Sequence, residues 1–321
     1  MLIINQEEIR REIALPRFVE AVEEAMLIHE SGKFHMPLRT NMEFDNKSLL
    51  LMPSATEEFF GTKLVSLFPD NPHINHPVLY GLVILNDGKT GEPLAIMNGA
   101  LITGLRTAAV GSLSIKYMTS ENVSKLGMVG AGVQGYYQTL MACSVRNFTD
   151  VYLTDNDSQR LNSLQQKLQK DLPNTIIHKL GSPDEVLHNA EVIITATNTK
   201  TPLFSNKAAP FMGKHFVAIG SYKPEMHEYP RAIFQMLDNV FIDTEHALHE
   251  TGDLITPLDE GWISKSQIHS LVKIINSEIN LCQNNNPTLF KSVGMALFDV
   301  VTANMIYQRA LNQGFGVEIE L

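Results

Sequence analysis

The chain has 321 residues, of which 44% are apolar and 19% charged, and its formal net charge is −10. This length and ordinary globular composition predict two domains with a sizeable core, so neither a metal nor a disulfide is needed to hold the fold. The acidic balance and the lack of a Lys/Arg-rich face argue against a nucleic-acid-binding protein.

The two cysteines, Cys143 and Cys282, form no CxxC pair and lie near no histidine cluster with metal spacing. We interpret them as small buried apolar residues in a reducing cytosol, and we predict no metal site. The N-terminus lacks a basic leader with a long apolar run, and no stretch approaches the length of a membrane span. We therefore expect a cytoplasmic protein without a membrane partner.

The first third of the chain predicts an α+β unit. Apolar residues recur at helical spacing from Pro16 to Glu30. Strand-like patterns follow around Ser48–Met52 and over Gly61–Phe68. The segment Asn86–Gly91 stands between two apolar runs and predicts the turn of a β-hairpin.

Three basic residues in this region are candidates for a binding site. Lys63 interrupts an apolar strand, and Arg106 lies in a segment of small and apolar residues. A charge embedded in apolar sequence needs a partner, which favours a functional role for both. For Arg39, close to a proline, a surface position is equally compatible. Together the three cations suit a carboxylate substrate, with Arg as a bidentate donor and Lys as a mobile proton donor.

A glycine turn organises the middle of the chain. The run Lys125–Gly135 reads as a short apolar strand, then Gly130, Gly132 and Gly135 at the spacing of a dinucleotide fingerprint, then a helix. Asp155 follows twenty residues after Gly135 (155 − 135), where an acid binds the adenosine ribose and repels the extra phosphate of NADP. This favours NAD over NADP, and Arg160 is the residue that would reverse the preference by folding back.

Further strand and helix patterns alternate after Asp155. Near-continuous apolar strands at residues 190–197, 215–220 and 239–243 predict a parallel sheet that is buried on both faces. Because ligands bind at the carboxyl ends of such strands, residues 195–198 and 220–224 are expected beside the nicotinamide.

The last stretch predicts a long helix that ends at about Gln313 and returns the chain to the first domain. Small residues, among them Ser292, stand ahead of it. These small residues allow two interpretations that we weigh equally. They could supply backbone N–H groups to a ligand, or they could allow the helix to pack closely against a neighbour.

Several of these motifs together resemble the ornithine cyclodeaminase/μ-crystallin family over nearly the whole chain. The motifs are Pro37-Leu-Arg39-Thr40, Lys63, Thr103-Gly-Leu-Arg106-Thr107-Ala-Ala, Gly130-Ala-Gly-Val-Gln-Gly135 and Phe290-Lys-Ser-Val-Gly-Met-Ala. The resemblance implies an α/β protein in which a Rossmann domain, residues 119–299, is inserted into an α+β substrate-binding and dimerisation domain, residues 1–118 and 300–321. It also implies a homodimer.

The resemblance further implies roles for individual residues. Arg39 and Arg106 match the residues that bind the substrate carboxylate, and Lys63 matches the catalytic residue that moves protons at the reacting carbon. Thr107 and Gln134 are expected at the cofactor. The complete set of expected cofactor contacts is Thr107, Gly130, Gly132, Val133, Gln134, Gly135, Asp155, Thr195, Ala196, Thr197, Gly220, Ser221 and Ser292.

One position departs from the family pattern. Ornithine cyclodeaminases carry an aspartate where this chain has Tyr222, and a phenol near neutral pH does not replace that carboxylate base. Glu225 and Glu228 follow closely, but we interpret them as solvated loop charges. The departure favours the reductase or dehydrogenase branch.

The leading hypothesis is an NAD(P)-dependent oxidoreductase that reduces a cyclic α-imino acid, such as Δ1-pyrroline-2-carboxylate, to an L-amino acid such as proline. Three alternatives stay open: an ornithine cyclodeaminase that uses NAD catalytically and releases ammonia, an alanine dehydrogenase, and a nucleotide-dependent small-molecule binding protein. Asp155 favours NAD, whereas the resemblance to ketimine reductases keeps NADP as the alternative cofactor.

Overall fold

The structure is a computed structural model that describes residues 1–281 and 284–320. Of the two cysteines, Cys282 lies outside the described residues. The strands are β1 Leu2–Ile4, β2 Thr40–Phe44, β3 Lys47–Ala55, β4 Phe59–Leu67, β5 Leu79–Asp87, β6 Pro93–Asn98, β7 Lys125–Val129, β8 Asp150–Thr154, β9 Ile176–Lys179, β10 Val192–Thr195, β11 His215–Ala218, β12 Val240–Ile242, β13 Ile268–Ser270, β14 Thr288–Lys291 and β15 Val317–Glu318. The helices are α1 Gln6–Glu12, α2 Leu15–Ser31, α3 Gly99–Met118, α4 Val133–Val145, α5 Ser158–Asp171, α6 Pro183–Asn189, α7 Arg231–Phe234, α8 Ala247–Glu250, α9 Gly252–Asp259, α10 Val272–Ile275 and α11 Ala296–Gln313.

The chain divides into two compact units, and the first contains both ends of the described chain. Unit 1 comprises residues 1–106 and 295–321. Its sheet has the strand order β15-β1-β6-β5-β4-β3-β2, in which β1 runs parallel to β6 and the other neighbours are antiparallel. Helices α2 and α11 pack on each other, and α11 also packs on β3, β4 and β5. One face of the sheet is therefore covered by a helix that comes from the C-terminal segment.

Unit 2, residues 107–294, is one continuous segment of the chain. Its sheet has the order β13-β12-β14-β11-β10-β7-β8-β9, and every pair of neighbours is parallel. All four residues of β10 are buried, as are the four of β11, which is expected for strands covered on both faces. From the central strand β7 the chain proceeds outward through β8 and β9, then returns to β10 on the other side.

The structure confirms the predicted α/β class and its parallel sheet. The predicted hairpin is formed by β5 and β6, and the predicted C-terminal helix is α11. The first junction of the units falls inside α3, after Arg106, whereas the prediction placed it at residue 118; the second falls at Met295 rather than at residue 300. Among the helices of residues 1–281 and 284–320, none is both long and apolar enough to cross a bilayer.

Candidate active site

Lys63 lies on the helix-covered face of the unit 1 sheet. It sits in β4 opposite Met52 of β3 and Val83 of β5, and both of these neighbours are buried. Because side chains alternate along a strand, the apolar residues that precede and follow Lys63 by two positions share this covered face. The Lys63 side chain is only 2% exposed, so its ammonium group is removed from bulk water.

The partner of this buried lysine is Asp299, in the first turn of α11. Asp299 is fully buried, and its Oδ2 lies 2.9 Å from the Lys63 Nζ. Its Oδ1 accepts a hydrogen bond of 3.0 Å from Nε of Arg106, which α3 supplies and which is also buried. A carboxylate in the first helical turn is further stabilised by the helix dipole. Three sequence segments thus converge on one buried ionic cluster, Lys63–Asp299–Arg106.

The cluster retains positive charge, because one carboxylate faces two cations. Burial, followed by the charges of Arg106 and Arg39, lowers the pKa of Lys63 from 10.5 to about 8, while Asp299 opposes this shift. The influence of Arg39 on this pKa shows that the third predicted cation also lies near Lys63. The structure therefore brings Arg39, Lys63 and Arg106 together within unit 1. An anionic ligand would compensate the remaining charge, and Lys63 has an acidity suited to proton transfer near neutral pH.

The glycine turn of unit 2 has the geometry that its spacing predicts. Gly130 has a left-handed φ of 110°, which a glycine adopts without strain. A Cβ at Gly135 would collide with the carbonyl oxygen of Gly130, so α4 packs directly on the end of β7. Gly132 caps α4 and has open space on its Cβ side. The N–H groups of the first turn of α4 have no partner within the helix, and such groups bind phosphate.

Asp155 lies directly after β8 and contacts the glycine turn. Its Oδ2 accepts a hydrogen bond of 2.6 Å from the backbone N–H of Ala131, and its Oδ1 accepts one of 2.8 Å from Asp157. Arg160 is bound to the Asp157 carboxylate at 3.2 Å, and its side chain is largely exposed. The carboxylate is thus held beside the turn, where a ribose of a dinucleotide is expected.

A cavity of about 750 Å³ opens along the carboxyl ends of the strands in unit 2. Seven of the predicted cofactor contacts line it: Gly130, Gly132, Gln134, Asp155, Ala196, Thr197 and Gly220. The cavity runs from Asp155 beside β8, past the glycine turn, to Gly220 beside β11. Its residues and its position at the point where the strand order reverses fit an extended dinucleotide.

Six predicted cofactor contacts do not line this cavity: Thr107, Val133, Gly135, Thr195, Ser221 and Ser292. Three of them direct their hydroxyl groups into the protein. The Thr195 hydroxyl donates to Glu228 at 2.8 Å, and the Ser292 hydroxyl donates to Asp243 at 2.6 Å. The Ser221 hydroxyl donates to a backbone carbonyl at 2.7 Å. The roles of these six residues toward a cofactor stay predictions.

Sequence reasoning missed two buried acids. Asp299 satisfies the criterion that selected Lys63 and Arg106, because it is a charge within the apolar run Ala296–Val301, so the signal was present. Glu228 was predicted to be a solvated loop charge, which is wrong, since it is completely buried, whereas Glu225 is exposed as expected. Within the described part of the chain, histidine, cysteine and acidic side chains form no group of three able to hold a metal.

Tyr222, the residue that the resemblance sets in place of the aspartate, lines the cavity of unit 2 and is 51% exposed. Its phenol therefore faces the space where the nicotinamide half of a dinucleotide is expected, on the β10–β11 side.

The pattern of the ornithine cyclodeaminase/mu-crystallin family matches residues 1–314. The chain belongs to this family. A Δ1-pyrroline-2-carboxylate reductase from Bacillus cereus is 33% identical over 327 aligned positions, which cover 100% of both chains. Membership agrees with the resemblance seen in the motifs and accounts for a Rossmann-type unit within an interrupted α+β unit.

Two solved structures extend this similarity to the fold. The Thermococcus litoralis Δ1-pyrroline-2-carboxylate reductase in complex with NADH and L-proline has a TM-score of 0.91 and 31% identity, covering 99% of this chain and 100% of that one. An archaeal alanine dehydrogenase dimer with bound NAD has a TM-score of 0.89 and 28% identity, covering 100% and 99%.

Proposed function

We propose that this protein is an NAD-dependent reductase that converts the C=N bond of a small cyclic α-imino acid to the C–N bond of an L-amino acid such as proline. The observation that carries the proposal is the buried Lys63–Asp299–Arg106 cluster, because its uncompensated positive charge suits one substrate carboxylate. The similarity to a reductase solved with NADH and L-proline supports this choice of substrate.

The dinucleotide is assigned to the cavity of unit 2. The N–H groups at the start of α4 and the open space beside Gly132 suit a pyrophosphate, and Asp155 suits an unphosphorylated ribose. Reduced nicotinamide, when bound, supplies a hydride to the imine carbon. Tyr222, Thr197 and Gly220 form the wall at the other end of the cavity from Asp155.

The substrate is assigned to the cationic cluster of unit 1. Arg106 keeps its remaining N–H donors for a carboxylate, because only its Nε is used by Asp299. Arg39 contributes a second positive charge to the same surroundings. Lys63 holds a proton that its lowered pKa makes easier to release, and we assign it as the donor to the imine or amine nitrogen. Proton transfer by Lys63 and carboxylate binding by the two arginines are thus separate tasks.

One set of assays tests the proposal against its alternatives. Oxidation of NADH that requires only a cyclic ketimine supports the proposed reductase. Oxidation that requires pyruvate and ammonia together identifies an alanine dehydrogenase, to which the chain is also similar. Release of ammonia and proline from ornithine, without net change in NADH, identifies a cyclodeaminase. Binding of NADH without turnover of any of these would leave a binding protein and would overturn the proposal.

A prediction about cofactor choice follows from Asp155. In Asp155→Asn the side chain keeps an acceptor for the Ala131 N–H but loses the charge that repels the 2′-phosphate of NADP. We expect the ratio of kcat/KM for NADH to that for NADPH to fall about tenfold, which corresponds to about 1.4 kcal/mol. Steady-state kinetics with both cofactors measure it. An unchanged ratio in a folded variant would remove Asp155 from cofactor selection.

We propose that the assembly is a homodimer formed through the open face of the unit 1 sheet. Leu51, Leu64 and Leu82 lie directly opposite one another on three neighbouring strands, on the face that does not carry Lys63. Leu51 and Leu82 are exposed, as is Tyr80, two residues before Leu82. A contiguous exposed apolar face of this kind marks an interaction surface. The solved alanine dehydrogenase of similar fold is a dimer.

The dimer is tested with a charge placed in this face. Leu82→Asp is expected to shift the protein from dimer to monomer in sedimentation velocity, because it would bury an unpaired carboxylate in the interface. Leu311→Asp, which changes an exposed leucine of α11, is the matched control and is expected to leave the dimer intact. A Leu82→Asp protein that remains dimeric would place the interface elsewhere.

We also propose that the protein works in a reducing cytoplasm. Cys143 is a free thiol in α4, and burial raises its pKa to about 12, which keeps it protonated and unreactive.

A further inference from the structure

Glu228 is a buried acid that the proposed chemistry does not use. It lies in the segment that joins β11 to α7, and its side chain is inaccessible to solvent. Burial, and then the neighbouring Asp253 carboxylate, raise the pKa of Glu228. A buried carboxylate is costly unless it is well bound, so its surroundings need an explanation.

Four donors from two neighbouring strand ends converge on this carboxylate. Its Oε2 accepts from the Thr195 hydroxyl at 2.8 Å and from the Gly220 N–H at 3.0 Å. Its Oε1 accepts from both the N–H and the hydroxyl of Thr197, at 2.9 and 2.7 Å. Thr195 and Thr197 belong to the end of β10, and Gly220 follows β11. The Glu228 side chain therefore links the carboxyl ends of two adjacent strands, β10 and β11, through hydrogen bonds.

A second buried acid holds the backbone of Glu228. Asp253 Oδ1 accepts from the N–H groups of Glu228 and Tyr229, at 2.7 and 3.2 Å. Asp253 Oδ2 lies 3.6 Å from Nζ of Lys291, at the end of β14, the next strand beyond β11. All of these side chains are buried. The position of the Glu228 carboxylate is thus fixed from the backbone side as well.

The atoms that Glu228 holds form one end of the cavity. Thr197 and Gly220 line it, whereas Thr195 does not. Asp155 and the glycine turn lie toward β8 and β7, so they account for the adenosine ribose and the pyrophosphate of an extended dinucleotide. The remaining half of the dinucleotide must extend toward β10 and β11, where Glu228 fixes the wall.

We infer that Glu228 is a positioning residue for the nicotinamide half of the dinucleotide. It acts through Thr197 and Gly220 and contacts no ligand itself. The inference rests on the proposed NAD site in unit 2. Within that site, the end of the cavity beside Asp155 binds the adenosine half of the dinucleotide, and the end held by Glu228 positions the nicotinamide.

The inference is tested by comparing the binding of NADH with the binding of ADP-ribose. ADP-ribose contains the adenosine half of the dinucleotide but lacks the nicotinamide. In Glu228→Gln the amide NH₂ replaces one of the two carboxylate oxygens, so it faces either the donors of Thr197 or those of Thr195 and Gly220. In either orientation one backbone N–H of the cavity wall, that of Thr197 or that of Gly220, loses its acceptor. We expect the Kd for NADH to rise about tenfold, while the Kd for ADP-ribose changes less than about twofold. Equal losses for both ligands, or no loss for either, would overturn the inference. Isothermal titration calorimetry provides both constants.

A second variant covers the case in which Glu228→Gln does not fold. Thr195→Val removes one donor to Glu228, and Thr195 does not line the cavity, so an effect on NADH is indirect and passes through the buried neighbours of the hydroxyl, Glu228 and Tyr229. We expect a smaller rise in the Kd for NADH, about threefold, again without a change for ADP-ribose. Failure of this variant to separate the two ligands would contradict the inference.

The matched control is Glu225→Gln, which makes the same chemical change at an exposed position of the same segment and is expected to leave both constants unchanged. The two proposals fail differently. If the unaltered protein binds neither ligand, the NAD site itself is wrong. If it binds both but Glu228→Gln does not separate them, only the role of Glu228 is wrong.

Discussion

Lys63→Ala is expected to reduce kcat for reduction of the cyclic ketimine by about 10²- to 10⁴-fold, the range that a positioned proton donor contributes. The KM for the substrate should change much less, because Arg39 and Arg106 remain to hold the carboxylate. Steady-state kinetics with Δ1-pyrroline-2-carboxylate and NADH test this. Lys89→Ala, at an exposed position in the turn before β6, is the matched control and should have the kinetics of the unaltered protein.

The pH dependence of the reaction provides an independent test of the same residue. The pKa of Lys63 is lowered to about 8, mainly by burial and then by Arg106 and Arg39. A donor must carry its proton, so kcat/KM for reduction should be level below about pH 8 and fall about tenfold per pH unit above it. The falling limb should vanish in Lys63→Ala. A limb that persists in this variant would assign the proton to another group, and a near-normal kcat would remove Lys63 from the mechanism.

The second large effect is expected for Asp299→Ala, and it concerns stability. Removing this carboxylate leaves two buried cations facing each other, because Lys63 and Arg106 are almost inaccessible. Breaking a buried pair in this way typically costs about 3–5 kcal/mol. We expect the urea midpoint, followed by circular dichroism, to fall accordingly. Glu57→Ala, an exposed acid before β4, should stay within about 0.5 kcal/mol of the unaltered protein.

Asp299→Asn separates the charge from the hydrogen bond. The amide oxygen still accepts from Arg106, but the negative charge that raises the pKa of Lys63 is gone. The lysine then loses its proton at lower pH, so the falling limb of the rate profile should move below pH 8. A limb that stays in place or moves upward would show that Asp299 does not act on the acid–base behaviour of Lys63.

The dinucleotide half of the candidate site was predictable because its signals are local. Gly130, Gly132, Gly135 and Asp155 lie within twenty-six residues (155 − 130 + 1), and the turn they form depends on their own backbone conformations. The seven predicted residues that line the cavity follow the carboxyl ends of β7, β8, β10 and β11. Local spacing, however, does not tell which way a hydroxyl points. Thr195 and Ser292 lie at strand ends as expected, yet their hydroxyls bind buried acids.

The ionic cluster was only half predictable from sequence. Lys63 and Arg106 were selected because a charge in apolar sequence needs a partner, but the partner is 236 residues beyond Lys63 (299 − 63). Nothing in the local sequence pairs β4 with the first turn of α11; the packing of that helix on the sheet does so. Glu228 illustrates the opposite error, in which a buried charge was predicted to be exposed to solvent. Its polar, proline-containing surroundings resemble a solvated loop, and only the fold shows that backbone donors surround it.

The discontinuous make-up of unit 1 has a consequence for synthesis on the ribosome. Residues 107–294 form unit 2 without interruption, so that unit can close without waiting for the C-terminal segment. Unit 1 cannot, because α11 and β15 are translated last and supply its helical cover, one edge strand and Asp299. Until then Lys63 and Arg106 lack their shared counter-ion, and the apolar sheet face that α11 covers is open to other chains. The cationic site is therefore completed only after the last segment of the chain has been made.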